Sequence, residues 1–446
     1  MDTIKYCELD CISLYQVLET FGKLIFTEFK INIDSISTLP SLAFKIFRTH
    51  YMPLPSEVKI PVLSGKMYND ISNAYYGGHV DMYIPSNPEG EKVYHYDVNS
   101  LYPFAMNEYK YPTELIAYFR GDITLMQKYS DIFKNNLSVL KVKVTAPDNI
   151  KHPLLPYKID NTTIYPTGSW VGWYYSEELV NALKYGYQYE ILEGYIFKGY
   201  DIFSKYIKRM YEIKEKSDSN SGMYLISKLL MNSLYGRFGM KPSIVQHKIV
   251  TEKELTKELE YIRLENLVDQ VKYGDKYLLS YWEEFPLKAS INVSVASAIT
   301  ANARICMSLY KNREDYELYY SDTDSYFLNK PLPDNLVDNK QLGKFKLEKV
   351  LTKLVALGPK VYGGIDTSGK EFVKVKGFKK SISLNNLEQL LNKDNVLTLN
   401  QEKWFKKIID STIIVKESNY NLTTTFNKRL PIYQGNKLVG TQNIKI

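Results

Sequence analysis

Cysteine is scarce in this chain of 446 residues: only Cys7, Cys11 and Cys306 occur. Three thiols cannot build a disulfide framework or, by themselves, a four-ligand zinc site, and they fit a reducing compartment. Cys7 and Cys11 stand four apart in a segment of helical pattern, where a packing role is expected. Long apolar runs are missing too. No stretch of about 18 apolar residues occurs, so no transmembrane helix and no membrane attachment are expected. The start, Met1-Asp2-Thr3-Ile4-Lys5-Tyr6, has the features of neither a signal peptide nor an Arg-rich transit peptide. Charge of one sign is modest as well. The 57 Lys+Arg against 50 Asp+Glu leave a net +7, which permits a polyanionic partner without requiring one. Repeats and long low-complexity segments are absent.

What remains is an ordinary globular composition, 44% hydrophobic with a mean hydropathy of -0.30. The length exceeds what one core usually supports, so two or more lobes are expected. Tyrosine is in large excess at 39 residues. Asn, Ile and Lys are abundant with it, as an A/T-rich genome would produce, so the tyrosines are not read wholesale as stacking platforms. Basic charge is concentrated. Between 340 and 380 there are 11 lysines, opposed only by Glu348, Asp366 and Glu371. Such a surface attracts phosphate backbones; a solvated face is the competing reading.

The chain is organised around Leu318 to Phe327, where apolar and aromatic residues flank the polar turn Asp322-Thr323-Asp324. This reads as a hairpin. Residues two apart on a strand share a face, so both carboxylates can reach one site if the turn keeps that geometry. Hard oxygen ligands suit Mg²⁺, which takes one or two carboxylates and leaves its other positions to phosphate and water. A solvated hairpin loop is the alternative for the motif alone. A second carboxylate, Asp97, ends the aromatic strand that starts at Lys92, just before a turn and a helix start, well placed to meet one from a neighbouring strand. His95 is expected on the opposite face and receives no role.

Helices are expected over 1–30, around Leu42–Phe47, and at Ser176–Tyr185, Ile202–Lys216, Met223–Tyr235, Ala289–Met307, Asn386–Leu391 and Gln401–Ile409. Strands are expected at Leu137–Val144, Ile244–Val250 and Tyr277–Tyr281. The polar hinge 217–222 makes the helices on either side an antiparallel pair. Lys228, Asn232 and Tyr235 lie at i, i+4 and i+7 of the second, on one face. A cation, an amide and a ring on one stripe suit a triphosphate, a polar group and a base or sugar; an ordinary surface is the bland reading. Gly77-Gly78 in Tyr75–Val80 allows a close backbone approach or a sharp turn.

Together these segments resemble family B DNA polymerases of the protein-primed branch. Asp97-Val98-Asn99-Ser100-Leu101-Tyr102-Pro103 is similar to its D-x-x-S-L-Y-P motif, and Lys228–Gly236 to K-x-x-x-N-S-x-Y-G. Tyr320–Ser325 is similar to Y-x-D-T-D-S, Lys360–Tyr362 to K-x-Y, and Tyr75–Gly78 to Y-x-G-G. Five motifs in order cover most of the chain.

The resemblance implies an α/β (α+β) right-hand polymerase with an antiparallel palm sheet. Its parts would be a remnant of an exonuclease domain and connector (1–60), palm (61–103 and 286–384), inserted sub-domains (104–200 and 241–285), fingers (201–240) and thumb (385–446). It implies a DNA-directed DNA polymerase acting on template–primer DNA and dNTPs, as a monomer, with a terminal priming protein. Asp97 and Asp322 would hold two Mg²⁺, for which Mn²⁺ can substitute, about 3.5–4 Å apart. Asp324 and Val98 would lie in or beside the ligand set. Ser100, Leu101, Tyr102, Lys214, Lys228, Asn232 and Tyr235 would bind dNTP, with Tyr102 under the sugar and the backbone amides after Asp97 cradling phosphates. Tyr75, Gly77, Gly78, Ser233, Gly236, Thr323, Lys360, Tyr362, Lys376 and Lys379 would contact primer or template.

The pattern departs from the family at the start. Tyr6 and Asp10 resemble its last exonuclease motif, Y-x-x-x-D, but no D-x-E precedes Asp97. A chain that lacks most of the exonuclease domain and does not proofread is therefore expected. A non-catalytic remnant that binds DNA or a priming protein is the competing class. A glycosyltransferase, which also uses Asp-x-Asp, leaves the Lys228–Gly236 stripe unexplained. The A/T bias and the plasmid branch point to mitochondrial encoding; a phage-encoded cytoplasmic enzyme is the alternative.

Overall fold

The computed structural model describes residues 3–125, 127–241, 243–284, 292–407 and 412–446. At its centre is a seven-stranded sheet, antiparallel throughout. The strand order is Val80–Met82, Leu318–Asp322, Ser325–Leu328, Val93–Val98, Phe345–Gly358, Val361–Asp366, Glu371–Val375. The hairpin strands are buried at every position from Leu318 to Ser321 and from Ser325 to Leu328. Both faces are covered, which is why these segments read as unbroken apolar and aromatic runs and not as alternation.

One face is covered by the helix Val293–Ser308, capped by Asn292, whose side-chain oxygen accepts from the Ser294 and Val295 amides. Its small residues allow close approach on two sides. Ala303 and Met307 pack with Tyr96, Val98 and Tyr326 of the sheet. Val295, Ala296, Ile299 and Ala301 pack into a second core with the helices Ser204–Lys216 and Gly222–Phe238. Those two helices fold back on each other across Ser217–Ser221, and the Tyr206 hydroxyl donates to the Leu230 carbonyl at 3.0 Å. Ser221 caps the second by accepting from the Tyr224 amide. The helix Leu39–His50, capped by Thr38, adds Phe44 and Phe47 to the same aromatic cluster as Phe203 and Phe238.

Two satellites carry their own cores. Residues 111–200 hold a four-stranded sheet, ordered Tyr111–Arg120, Gln188–Tyr200, Leu137–Ala146, Gly168–Tyr175, and the helix Ser176–Leu183. Residues 243–284 hold three strands and the helix Glu252–Ile262, whose start is a capping box of Thr251 and Glu254. The C-terminal part contains the helix Leu384–Gln389, the long hairpin Leu397–Lys407 and Thr412–Leu422, and a two-stranded sheet. Among the described residues no helix is long and apolar enough to cross a membrane.

Several expectations are corrected. The helix expected at Gln401–Ile409 is a strand to Lys407, and 408–409 lie outside the described residues. Its partner Thr412-Ile413-Ile414-Val415 is β-branched throughout, and pairing with it (Trp404 with Val415, Phe405 with Ile414) overrides local helical propensity. The start of the expected helix Ala289–Met307 also falls on residues outside those described, 289–291. Cys7 and Cys11 are exposed rather than packed, because the helix Thr3–Phe29 reaches a core only from Phe21 onward, through Phe21, Leu24, Ile25 and Phe29. His95 lies two residues before Asp97 on one strand, hence on the same face, and stacks on Phe327 at 4.1 Å. The division at 103/104 cuts the single helix Leu101–Glu108. The division at 384/385 falls at the first residue of a helix whose Leu384 and Leu387 share a core with Leu351 and Tyr362.

Candidate active site

The hairpin tip and the end of strand Val93–Val98 meet edge to edge. Ser325 pairs with Asp97 across the sheet, and the Val98 amide donates to the Asp324 carbonyl at 2.8 Å. Thr323 sits at the turn with a left-handed backbone, φ 53°. Its amide donates to the His79 carbonyl at 2.8 Å. This turn redirects the two aspartates. Asp324 and Asp97 share the floor of a cavity of about 630 Å³. Asp322 turns to Lys360, whose Nζ donates to both carboxylate oxygens at 2.9 and 2.8 Å. Asp97 and Asp324 thus line one cavity, whereas Asp322, expected with Asp97 at the metals and Asp324 in or beside their ligands, is paired with Lys360.

The electrostatics of the floor are unfavourable by themselves. Burial, then the negative charges of Asp324 and Glu348, push the Asp97 carboxyl up to about 7. Burial first, and the Asp322 charge, also raise Asp324. The facing wall carries Lys214, Glu215 and Lys228 from the two long helices, and Lys340 and Lys346 add positive charge at the other sides of the cavity. Burial and the charge of Lys228 lower the Lys214 ammonium. Lys346 is cross-strand to Asp97 and ion-paired to Glu348 at 2.7 Å. Among the described residues no three His, Cys, Asp or Glu side chains form a metal-binding group. A floor of two repelling carboxylates nevertheless fits Mg²⁺, which takes one or two carboxylates and completes its shell with phosphate and water.

One end of the cavity is the start of the helix Leu101–Glu108. Ser100 precedes it in a left-handed conformation, φ 53°. Of the amides after Asp97, that of Val98 is bonded to Asp324 and that of Asn99 to the Lys344 carbonyl at 2.9 Å, so neither is free for phosphate. The Ser100, Leu101 and Tyr102 amides have no hydrogen-bond partner among the described residues. Unpaired N–H groups at a helix start favour anions. Beside them Tyr102 stacks on Tyr235, ring centroids 4.4 Å apart. Asn232 lines the cavity and its side-chain amide donates to the Lys228 carbonyl at 2.9 Å. Lys228, Asn232 and Tyr235 thus share one side of the helix, as their spacing implies.

The remaining candidates surround this centre. Ser233 and Gly236 are half-buried on the same helix. Tyr75 is half-buried against Gly239, where an added methyl would stand 2.5 Å from the Tyr75 hydroxyl. Gly77 is open, whereas a methyl on Gly78 would stand 2.5 Å from Thr323 Cγ2 and Oγ1. Tyr362 packs its ring between Tyr320 and Phe327, centroids 5.0 and 5.3 Å away. Lys376 and Lys379 are exposed after the last sheet strand. Tyr6 and Asp10 lie exposed on the first helix, apart from the cavity. Sequence reasoning missed Lys346 and Glu348 as site residues and the buried pair Arg304–Glu178. Cross-strand register and contacts between lobes leave no local pattern. The isolation of Glu348 among lysines was the one signal available.

Comparisons with known proteins identify the family and the fold. Residues 1–316 match the family described as DNA polymerase type B, organellar and viral. A "Probable DNA polymerase" of Neurospora intermedia is 39% identical over 434 residues, covering 94% of this chain and 43% of the relative. Another of Ascobolus immersus is 34% identical over 455 residues, covering 99% of this chain and 36% of the relative. The chain therefore spans less than half the length of these relatives. Phi29 DNA polymerase, solved with primer-template DNA and incoming nucleotide, superposes with a TM-score of 0.65 at 19% identity, over 87% of this chain and 68% of that one. The fold is that of a right-hand polymerase.

Proposed function

Because the chain belongs to the organellar and viral type B DNA polymerases, we propose that it transfers nucleotides from dNTPs to a primer 3′-hydroxyl under the direction of a DNA template. The observation that carries this reading is the convergence of Asp97 and Asp324 at the floor of a lysine-walled cavity that ends in unpaired helix-start amides. A triphosphate matches that layout from end to end.

Asp97 and Asp324 would hold Mg²⁺. Bound there, the metal supplies charge neutralisation for the attacking and leaving oxygens of an in-line displacement. Lys228 and Lys214 bind and orient the triphosphate as point cations, and the Ser100–Tyr102 amides take phosphate oxygens. The stacked Tyr102 and Tyr235 form the wall against which the sugar and base lie, so a ribose 2′-hydroxyl meets Tyr102. The primer 3′-hydroxyl gives up its proton to water, its oxygen bonds to the α-phosphorus, the bond from that phosphorus to the oxygen shared with the β-phosphate breaks, and pyrophosphate leaves. Lys360 holds Asp322 beside the path of the primer end. Tyr75, Gly77 and Gly78 with Lys376 and Lys379 contact the strands further out.

In this reading the central sheet is the palm, the two long helices are the fingers, and the C-terminal hairpins are the thumb. The first hydroxyl extended belongs to a priming protein, and the DNA replicated is a linear mitochondrial plasmid, in keeping with the A/T bias. Four template–primers that differ only in the first templating base test the proposal. Each should direct incorporation of its complementary dNTP alone. Incorporation indifferent to the template, or none although DNA is bound, would contradict it.

A further inference from the structure

The loop Tyr75–His79 runs beneath the aspartate hairpin, and its carbonyls are tied down in succession. Lys158 Nζ donates to the Tyr75 carbonyl at 3.2 Å. Arg304 Nη1 donates to the Tyr76 and Gly77 carbonyls, both at 2.9 Å. The His79 carbonyl accepts the Thr323 amide at 2.8 Å. Between these anchors Gly78 lies flat against Thr323, with no space for a methyl group. This loop therefore supports the Asp322–Asp324 turn from below, beside the pairing of Ser325 with Asp97 and the Val98–Asp324 hydrogen bond.

Arg304 is 7% exposed. It lies on the small-residue helix, and the rest of its guanidinium is clamped by Glu178, Nε to Oε1 at 2.6 Å and Nη2 to Oε2 at 2.8 Å. Glu178 is 3% exposed and belongs to the helix Ser176–Leu183 of the first satellite. A bidentate fork of this kind fixes orientation as well as charge. Without its carboxylate a buried guanidinium is uncompensated and moves or draws in water. Every joint from Glu178 to Thr323 is a hydrogen bond or a van der Waals contact.

Resting on the nucleotidyl-transfer reading above, we propose that Arg304, oriented by Glu178, is a positioning residue that seats the Tyr75–His79 loop and through it the aspartate turn. It touches no reacting atom. The inserted satellite thus contributes to the geometry of the palm site from outside it.

A double variant separates positioning from mere stability. Glu178→Leu with Arg304→Met removes both charges together, a change that buried pairs often tolerate, while the two loop carbonyls lose their donor. Amide hydrogen exchange is measured over 75–81 and 322–325, beside thermal unfolding and single-turnover primer extension across dNTP concentrations. Exchange in both segments should rise about tenfold or more, and extension should slow about tenfold at saturating dNTP with KM little changed. Should that variant not fold, Arg304→Lys keeps a cation for Glu178 but not the fork to the loop, and the same rises are expected. Unaltered exchange in both segments, or extension lost only in proportion to the folded fraction, overturns the proposal. Absence of extension by the unaltered chain would instead refute the polymerase reading, and the exchange result would still decide this one.

Discussion

Replacing Gly78 by alanine should damage the site out of proportion to the size of a methyl group. The new carbon would stand 2.5 Å from Thr323 Cγ2 and Oγ1 and 2.8 Å from its Cβ. Carbon contacts are comfortable at about 3.5–4.0 Å, so loop and turn must separate by about 1 Å. Thr323 cannot swing aside easily. Its side chain is branched at Cβ, and its backbone is already left-handed, φ 53°. Overpacking of this kind costs about 1–3 kcal/mol. A displacement of about 1 Å in a group bearing Asp324 costs roughly a hundredfold in rate. Gly77 is the internal control for packing, since among the described residues nothing lies within 4 Å of a methyl placed there. Primer extension and thermal unfolding of Gly78→Ala and Gly77→Ala are compared, with Thr323→Gly added to each. Gly78→Ala should be slow and destabilised, Gly77→Ala should keep the unfolding midpoint of the unaltered chain, and Thr323→Gly should partly restore Gly78→Ala. Equal behaviour of the two alanine variants would refute the close-contact reasoning.

Three other outcomes follow from the same geometry. Between about pH 4 and 7 the folded chain keeps a proton on Asp97 that the unfolded chain has lost, because its carboxyl is pushed up to about 7, so without divalent cation stability falls as pH rises through that window. Asp97→Asn should therefore raise stability at pH 8 by about 1–2 kcal/mol, after discounting for its partial exposure to water, and Mg²⁺ should raise the unfolding midpoint of the unaltered chain more at pH 8 than at pH 5; no dependence on Asp97 would contradict this. Lys360→Met should slow extension about tenfold and shift the unfolding midpoint little, since the lysine of this pair is half exposed and such a pair contributes only about 0–1 kcal/mol. Tyr102→Val should raise ribonucleotide incorporation on the order of tenfold by opening the wall under the sugar, read from gel assays with single rNTPs.

The parts of the site carried by short contiguous motifs were legible in the sequence. Asp97 at a strand end, the Asp322–Asp324 hairpin and the Lys228–Tyr235 stripe each depend on local periodicity, and each lies on the element that periodicity implies. The different surroundings of the two hairpin aspartates were not. They depend on a left-handed residue between them, and threonine carries no signal for that conformation. His95 shows a different fault: strand alternation itself puts it on the side of Asp97. Lys346 and Glu348 reach the cavity through the register of Phe345–Gly358 against Val93–Val98, which one sequence does not encode visibly. Arg304 and Glu178 are 126 residues apart in the chain, and only the docking of the satellite brings them together. The hairpin at Leu397–Leu422 was misread for a related reason, since its strand state comes from its partner.

The most direct test of the central claim is single-turnover extension of a template–primer in Mg²⁺ by the unaltered chain and by Asp97→Asn, Asp324→Asn and Asp322→Asn, with DNA affinity measured for all four. The geometry requires that the unaltered chain extend and that Asp97→Asn and Asp324→Asn fall by about a thousandfold or more while still binding DNA. Asp322→Asn, whose carboxylate is turned to Lys360, should lose less. Extension that survives loss of Asp97 or Asp324, or a chain that binds template–primer and never extends it, would contradict the account.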